Sequence, residues 1–391
     1  MIRVTHLNIH GLGVKGASAL TVLMLVAGVA TGIPNKYCTE YTYTLSCTLE
    51  NRGNEPYLLR EAEMTYPMFQ NNSWQTVTIQ ETSHSVASKR VDADGNMQVI
   101  LNLPQSIDVG ASLTLTITYH IESKDRPKHE IQTDTAGQIS EIPSKLVREF
   151  CIETETFNTG NGDIRALAQR LCANETKTLN VVIKLLDWII DNVSYRAFDV
   201  PRRANETLSG REGDCDDQAI LFATMCRILG IPAVLQTGCF FDGGIDKKKS
   251  SWDGHLYTEQ TGVGWHGWAS VYVPPWGWLP IDLVFKSSGD LISLIRNAPE
   301  YNDYFITCSD VSRLDYIGEA HESMENLSNG SLYIKRSETL VKDDKAPNML
   351  RWSGRAMEIF RSFGIFILST FPIIVFILEA LIFIYCLVIL C

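Results

Sequence analysis

The sequence has no stripe of lysine and arginine. It carries 34 basic against 45 acidic side chains, for a formal net charge of −11. An acidic chain of this kind lacks the electrostatic footprint of a phosphate-backbone partner, which argues against nucleic acid. The short run Lys247, Lys248, Lys249 sits among glycine, aspartate and serine, as a solvated loop does. There is no CxxC pair and no cysteine and histidine spacing of the kind that holds structural zinc. Asp242, Asp246 and Asp253 fall within one long insertion, but their spacing matches no EF-hand loop. The sequence therefore implies no metal, and nothing in it calls for a cofactor. Internal repeats and low-complexity tracts are missing too. What is left is ordinary globular composition, 45% apolar, in 391 residues. That length suffices for two domains plus targeting segments.

The two ends are apolar. Residues 17–30 follow Arg3 and Lys15, the order of charged and apolar regions in a signal peptide. The stretch is short for a span, so residues 1–32 read as a signal peptide, with a signal anchor as the alternative. Residues 363–391 are almost wholly apolar, with Glu379 their one charge. They are long enough to cross about 30 Å of hydrocarbon with some tilt, which predicts a C-terminal transmembrane helix. Arg351, Arg355 and Arg361 precede it and no basic residue follows, which draws the body of the chain inward by the positive-inside rule. Against this stand the signal-like start and six Asn-x-Ser/Thr sequons, at Asn71, Asn174, Asn192, Asn205, Asn326 and Asn329. The expectation is a membrane protein with one C-terminal span and extracytoplasmic main domains. Eight cysteines lie between the apolar ends, and in an oxidising compartment some should pair. Cys38 and Cys47 flank an alternating segment and could staple a hairpin.

Residues 33–123 read as β. Thr42, Thr44 and Ser46 alternate with Tyr43, Leu45 and Cys47, and residues 98–103 and 113–119 alternate likewise between turn-rich breaks. Short strands at this spacing predict an antiparallel β-sandwich. Residues 123–129 are charged and contain Pro127, so a linker is expected over 124–149. From Ile164 the apolar residues take helical spacing, at Leu167, Ala168 and Leu171, then at Leu179, Val182, Ile183, Leu186 and Ile190. Strands follow the helices, which predicts an α+β domain over 150–340. A polar stalk at 341–362 leads to the span.

One constellation carries chemistry. In the run GDCDDQAILFATMCRILGIPA, Asp214 is a good N-cap and Asp217 a capping partner three residues on. The helix stops at Gly230, with Pro232 beyond. Cys215 thus opens the helix, where amide groups and the helix dipole stabilise a thiolate. Asp214, Asp216 and Asp217 oppose this, since nearby negative charge raises a thiol pKa, so a base is needed. His266 is the candidate, on a strand that puts His266, Trp268, Ser270 and Tyr272 on one face and Gly267, Ala269, Val271 and Val273 on the other. After a Pro-Pro-Trp-Gly turn the chain returns through Asp282. A hairpin centred on Pro274 sets residue 266 opposite residue 282; one centred on Pro275 makes them diagonal neighbours on the same face. Either register lets the carboxylate reach the imidazole. His255 is a rival base without a strand pattern, and Tyr195 reads as a core or rim tyrosine.

The first run, the later HGW and GWLPID, and the helical lead-in ending DWIIDNVSY together resemble the transglutaminase-like superfamily of papain-type cysteine enzymes. The resemblance covers about residues 150–285. It implies a papain-like transglutaminase core in which Cys215 is the nucleophile, His266 the base and Asp282 the orienting acid. Gly267 departs from the alanine usual between that histidine and tryptophan. The implied chemistry is acyl transfer or hydrolysis on a protein or peptide amide through a thioester. A non-catalytic surface protein that keeps only the fold is the alternative.

Overall fold

The structure is a computed structural model describing residues 38–284 and 290–343. The expected signal segment, most of the stalk and the transmembrane helix at 363–391 lie outside the described residues. Within those, no helix is long and apolar enough to cross a membrane.

Strand β1 (Thr39–Asn51) buries Tyr41, Tyr43, Leu45, Cys47 and Leu49 and leaves the residues between them partly exposed, the period-two pattern of a strand with one covered face. Strands β2 (Thr65–Pro67), β3 (Gln75–Thr82), β4 (Val86–Val91), β5 (Met97–Leu101) and β6 (Ser112–Ser123) complete the N-terminal region. Among the helices that follow are α1 (Gly162–Leu171), α2 (Thr178–Asn192) and α3 (Cys215–Ile228). Then come β7 (Ala233–Ser251), β8 (Leu256–Val273), β9 (Gly277–Ile281), β10 (Phe305–Val311), α4 (Tyr316–Ser328) and β11 (Leu332–Lys342).

One eight-stranded sheet runs through both halves of the chain, in the order β10, β7, β8, β11, β1, β6, β3, with β9 paired to β8. Neighbours are antiparallel except β8 and β11, which run parallel over residues 256–261 and 334–339. A second sheet, β2–β5–β4, contributes Val99 and Leu101 to the core formed by Tyr43, Leu45, Ile117 and Tyr119. That core also takes in Cys239, Val263 and Ile306 from β7, β8 and β10. Residue 123 is therefore not an edge of the sheet, contrary to the two separate β and α+β units expected from sequence. The reason is β11: an alternating strand from the end of the described chain pairs with β1 along eleven register positions, from Tyr41↔Lys342 to Asn51↔Leu332. The expected linker is also packed, with Ile131 fully buried and Arg126 nearly so.

Helix α3 is buried on all sides, with every residue from Asp217 through Arg227 inaccessible. A helix so placed is a central core element. It packs between α1 and α2 on one side and Ala233, Leu235, Ala269 and Val271 of the sheet on the other. The predicted pairing of cysteines is absent: all eight described cysteines are free thiols. Cys38 and Cys47 cannot meet, because they lie at the start and well along the same strand, about 30 Å apart at the rise of an extended chain. The insertion at 241–263, which reads as a solvated loop, is a β-hairpin in which residues 246–251 pair with 256–261, and the second of these segments pairs with β11 as well. Its three lysines are exposed on a strand, and Lys248 and Lys249 pair with Glu259 and Asp199.

Candidate active site

Cys215 occupies the first position of α3, and Asp214 caps it. The Asp217 amide donates to Asp214 Oδ1 at 3.5 Å, and Asp217 Oδ2 accepts from the Asp214 amide at 3.2 Å, the reciprocal box expected from sequence. Asp217 also accepts from the Arg202 amide at 2.6 Å, and Gln218 donates to the Gly213 carbonyl at 2.9 Å. These bonds fix the loop that delivers the cysteine. Tyr316 of α4 donates to Asp216 Oδ2 at 2.8 Å, while a carboxylate oxygen of Asp216 and one of Asp214 remain within 4.8 Å of the Cys215 sulfur.

The base comes from β8. Its pairing with β9 ends at Ala269↔Ile281, so the Gly267 amide lies beyond the last pair. That amide donates to the Cys215 sulfur, as does the Asp216 amide. Gly267 lies close against the helix start: a Cβ there would stand 2.8 Å from Asp216 Cβ and 3.2 Å from Asp216 Cα. The sulfur therefore sits against the backbone of the residue that follows His266. The hairpin register, Tyr272↔Trp278 and Val273↔Gly277, centres the turn on Pro275, so Asp282 is the diagonal neighbour of His266. The two side chains meet, His266 Nε2 to Asp282 Oδ2 at 2.9 Å, with both nearly buried. The Val284 amide donates to the other carboxylate oxygen at 2.7 Å.

Burial pushes the Cys215 thiol far above its ordinary range, and the charges of Asp216 and Asp214 push it further, against the pull of the two amides. Asp214 is itself raised to about 9, by burial and by its hydrogen bond to Asp216. Asp217 rises to about 6 through burial and Asp216. Burial also acts to raise Asp282, but the hydrogen bond and charge of His266, with help from Glu300 and the Val284 amide, outweigh it and hold the pKa low. The Cys215 thiol is therefore held toward its neutral form, and the His266 imidazole is bound to a carboxylate.

Glu300 is a site residue that the sequence does not reveal. It sits in a 3-10 turn, Pro299–Tyr301, with no exposed surface. One of its oxygens lies 3.8 Å from His266 Nε2. Neither oxygen receives a donor among the described residues, and burial, then the Asp282 charge, drives its pKa well above the carboxylate range. Protonated, Glu300 donates to Asp282. His266, Asp282 and Glu300 bring one nitrogen and two oxygens within 4.8 Å of one another, a set that could hold a cation; a hydrogen-bonded acid pair accounts for the same arrangement.

The other candidates fall elsewhere. His255 bonds the Leu332 carbonyl at 3.0 Å and stacks on Tyr333, so it is not part of this cluster. Tyr195 is a rim residue, 58% exposed, close enough for the Cys215 thiol to raise its pKa after burial. Of the tryptophans, Trp268 is fully buried and donates to Gln236, and Trp265 stacks on Phe69 and donates to Glu338. Both are packing residues.

Residues 165–283 match the core of the transglutaminase-like superfamily. The chain carries a transglutaminase-like core. That match spans α1, α2, α3 and the β7–β9 strands, and it contains Cys215, His266 and Asp282. No curated protein matches the sequence. Among solved structures, a protein from Cytophaga hutchinsonii described as a candidate cysteine protease is similar at 14% identity and a TM-score of 0.46, over 78% of this chain and 90% of that one. The periplasmic domain of TgpA from Pseudomonas aeruginosa is similar at 15% identity and a TM-score of 0.32, over 69% of this chain and 94% of that one. A candidate protease from Parabacteroides distasonis is similar at 12% identity and a TM-score of 0.23, over 64% and 68%. Likenesses of this size say nothing about activity. The transglutaminase-like core itself supports a cysteine-enzyme-like function.

Proposed function

We propose that the chain is a membrane-anchored cysteine enzyme that transfers or hydrolyses acyl groups of protein or peptide amides. The observation that carries this reading is the joint placement of two contacts. His266 Nε2 bonds Asp282 at 2.9 Å, and the amide next to His266 donates to the Cys215 sulfur. With Nε2–H given to Asp282, Nδ1 is the basic nitrogen of the ring. His266 takes the Cys215 proton as the sulfur attacks the carbonyl carbon. The C–N bond then breaks, the amine leaves with the proton from His266, and a thioester remains. Water or a second amine resolves it, giving acid or a new amide and returning the thiol. Because the thiol is held neutral at rest, His266 acts during attack as a general base. Membrane attachment and an extracytoplasmic body belong to the same reading; exposure of five of the six sequon asparagines, all but Asn205, supports that orientation.

The test is labelling of Cys215 with iodoacetamide across pH, read by mass spectrometry. The expected labelling is already fast at neutral pH, well below the ionisation of the raised thiol, and slows by about a hundredfold or more in His266→Ala. A rate that rises only with alkaline ionisation of the thiol, unchanged by that substitution, would sink the enzyme reading. It would favour the non-catalytic surface protein, for which the raised thiol pKa and the flanking aspartates already speak.

A further inference from the structure

Apart from this chemistry, the fold holds a cavity of about 560 Å³. Arg126, one of its lining residues, lies 5.7 Å from the ring of Trp268, which in turn stacks on His266 with ring centres 5.9 Å apart. The cavity wall is apolar at Phe150, Val234, Trp278 and Pro280, and it carries polar and charged side chains as well. Its charged residues are not equally satisfied. Asp94 accepts from the amides of Ser312, Arg313 and Leu314. Asp310 accepts from Gln236 at 2.7 Å, and Glu149 pairs with Arg313 at 3.5 Å. Arg126 is different. It is only 7% exposed, donates to Thr307 through Nη2 at 2.7 Å, and lies over the Trp74 ring at 4.7 Å. No carboxylate among the described residues forms an ion pair with it, and its Nε–H has no acceptor. Burial drags the Arg126 pKa down to about 10, which the charges of Glu300 and Asp310 only partly offset.

Arg126 has company. The Asn72 Nδ2, Trp74 Nε1 and Tyr301 hydroxyl groups, all on residues of the same wall, are also buried without a hydrogen-bond partner among the described residues. Each can donate. Buried donors left unmade cost free energy, and four on one cavity wall amount to a shape complementary to an acceptor. A buried cation without a counter-charge specifies that the acceptor is negative. One uncompensated guanidinium balances one charge, and Asp94, Asp310 and Glu149 nearby disfavour a second, so a monoanion fits better than a phosphate. The aromatic wall calls for an apolar group beside it.

We propose that this cavity binds a carboxylate attached to an apolar or aromatic group, with Arg126 as the anchoring cation and Asn72, Trp74 and Tyr301 as supporting donors. The source of the carboxylate is either a peptide C-terminus or an acidic side chain. The site is independent of the Cys215 reading, and its test uses no turnover.

The full-length protein is titrated with N-acetyl-phenylalanine, which presents a terminal carboxylate, with N-acetyl-glutamate α-amide, which presents a side-chain one, and with N-acetyl-phenylalanine amide, which presents neither. Melting temperature and calorimetric binding are read for each. The expected result is stabilisation and binding by at least one carboxylate and none by the neutral amide; which carboxylate binds identifies the source. Arg126→Met loses at least about tenfold in affinity, as expected for removal of a charge-assisted pair. Tyr301→Phe, which removes one oxygen and keeps the ring, weakens binding by several-fold and serves if Arg126→Met does not fold. Equal effects of the amide and the acids, or no binding of either acid to the wild-type protein, would overturn the proposal.

Discussion

Glu300 has no exposed surface, and among the described residues no donor bonds its carboxylate oxygens. An acid in that position is stable only with its proton on, and Asp282 beside it is the natural acceptor. The sign of the pH dependence follows. A carboxyl whose pKa is higher in the folded than in the unfolded state binds its proton on folding. Stability then falls as pH rises from the unfolded value, about 4.3 for glutamate, toward the raised folded value. Glu300→Gln removes that titration while its amide can still donate to Asp282. The variant is therefore expected to melt higher than wild type at pH 8, by a margin that shrinks toward pH 4.5. A variant less stable than wild type at pH 8 would instead make Glu300 an ionised partner of Arg126. No sequence signal marks Glu300, because it lies in a 3-10 turn beyond the hairpin and belongs to no periodic run. Cys215, His266 and Asp282 are legible because each lies in a local pattern: a capped helix start, and two alternating strands joined by a short turn.

Between elements, the contact that matters is the start of α3 against β8. Sequence alone leaves the hairpin register at two alternatives, since a Pro-Pro-Trp-Gly turn can be centred on either proline. Both keep Asp282 on the His266 face because the side-chain period of a strand is two. That is why the pairing of base and acid could be anticipated while the register could not. The hairpin at 241–263 was illegible for the opposite reason: both of its faces meet solvent over much of its length, so no alternation forms. Gly267 shows how close the helix and strand approach. The resemblance leads one to expect alanine there, yet a Cβ would lie 2.8 Å from Asp216 Cβ, with helix backbone close behind. Gly267→Ala is therefore expected to push the first turn of α3 away from β8. Overpacking of this kind costs about 1–3 kcal/mol, measurable by urea denaturation. Iodoacetamide labelling of Cys215 at fixed pH should change with it, since the Gly267 amide is a donor to the sulfur. Unchanged stability and unchanged labelling would show that the helix start yields without consequence.

The same logic extends to the whole described body through β11. Glu338 is 2% exposed and ties three strands together. It accepts from Tyr43 of β1 at 2.9 Å, from Gln260 and Trp265 of β8 at 3.1 and 2.9 Å, and pairs with Arg336 of its own strand at 2.7 Å. Burial opposes its charge, but Arg336 and the three donors prevail and keep its pKa below the usual carboxylate value. Such a group contributes stability above its unfolded pKa that is lost as pH falls through its folded one. Glu338→Ala removes the acceptor of Tyr43, Gln260 and Trp265 and the partner of the part-exposed Arg336, and leaving buried donors unmade in this way costs about 1–3 kcal/mol. Because the sheet and its core run from β1 through β10 without a break, that loss should not be confined to the N-terminal strands. Thermal or urea unfolding of the variant, followed both by far-ultraviolet circular dichroism and by fluorescence of the core tryptophans, is expected to show one transition moved as a unit. Two separated transitions, with only one displaced by Glu338→Ala, would mean that the strands on either side of β11 fold as independent bodies despite sharing its hydrogen bonds.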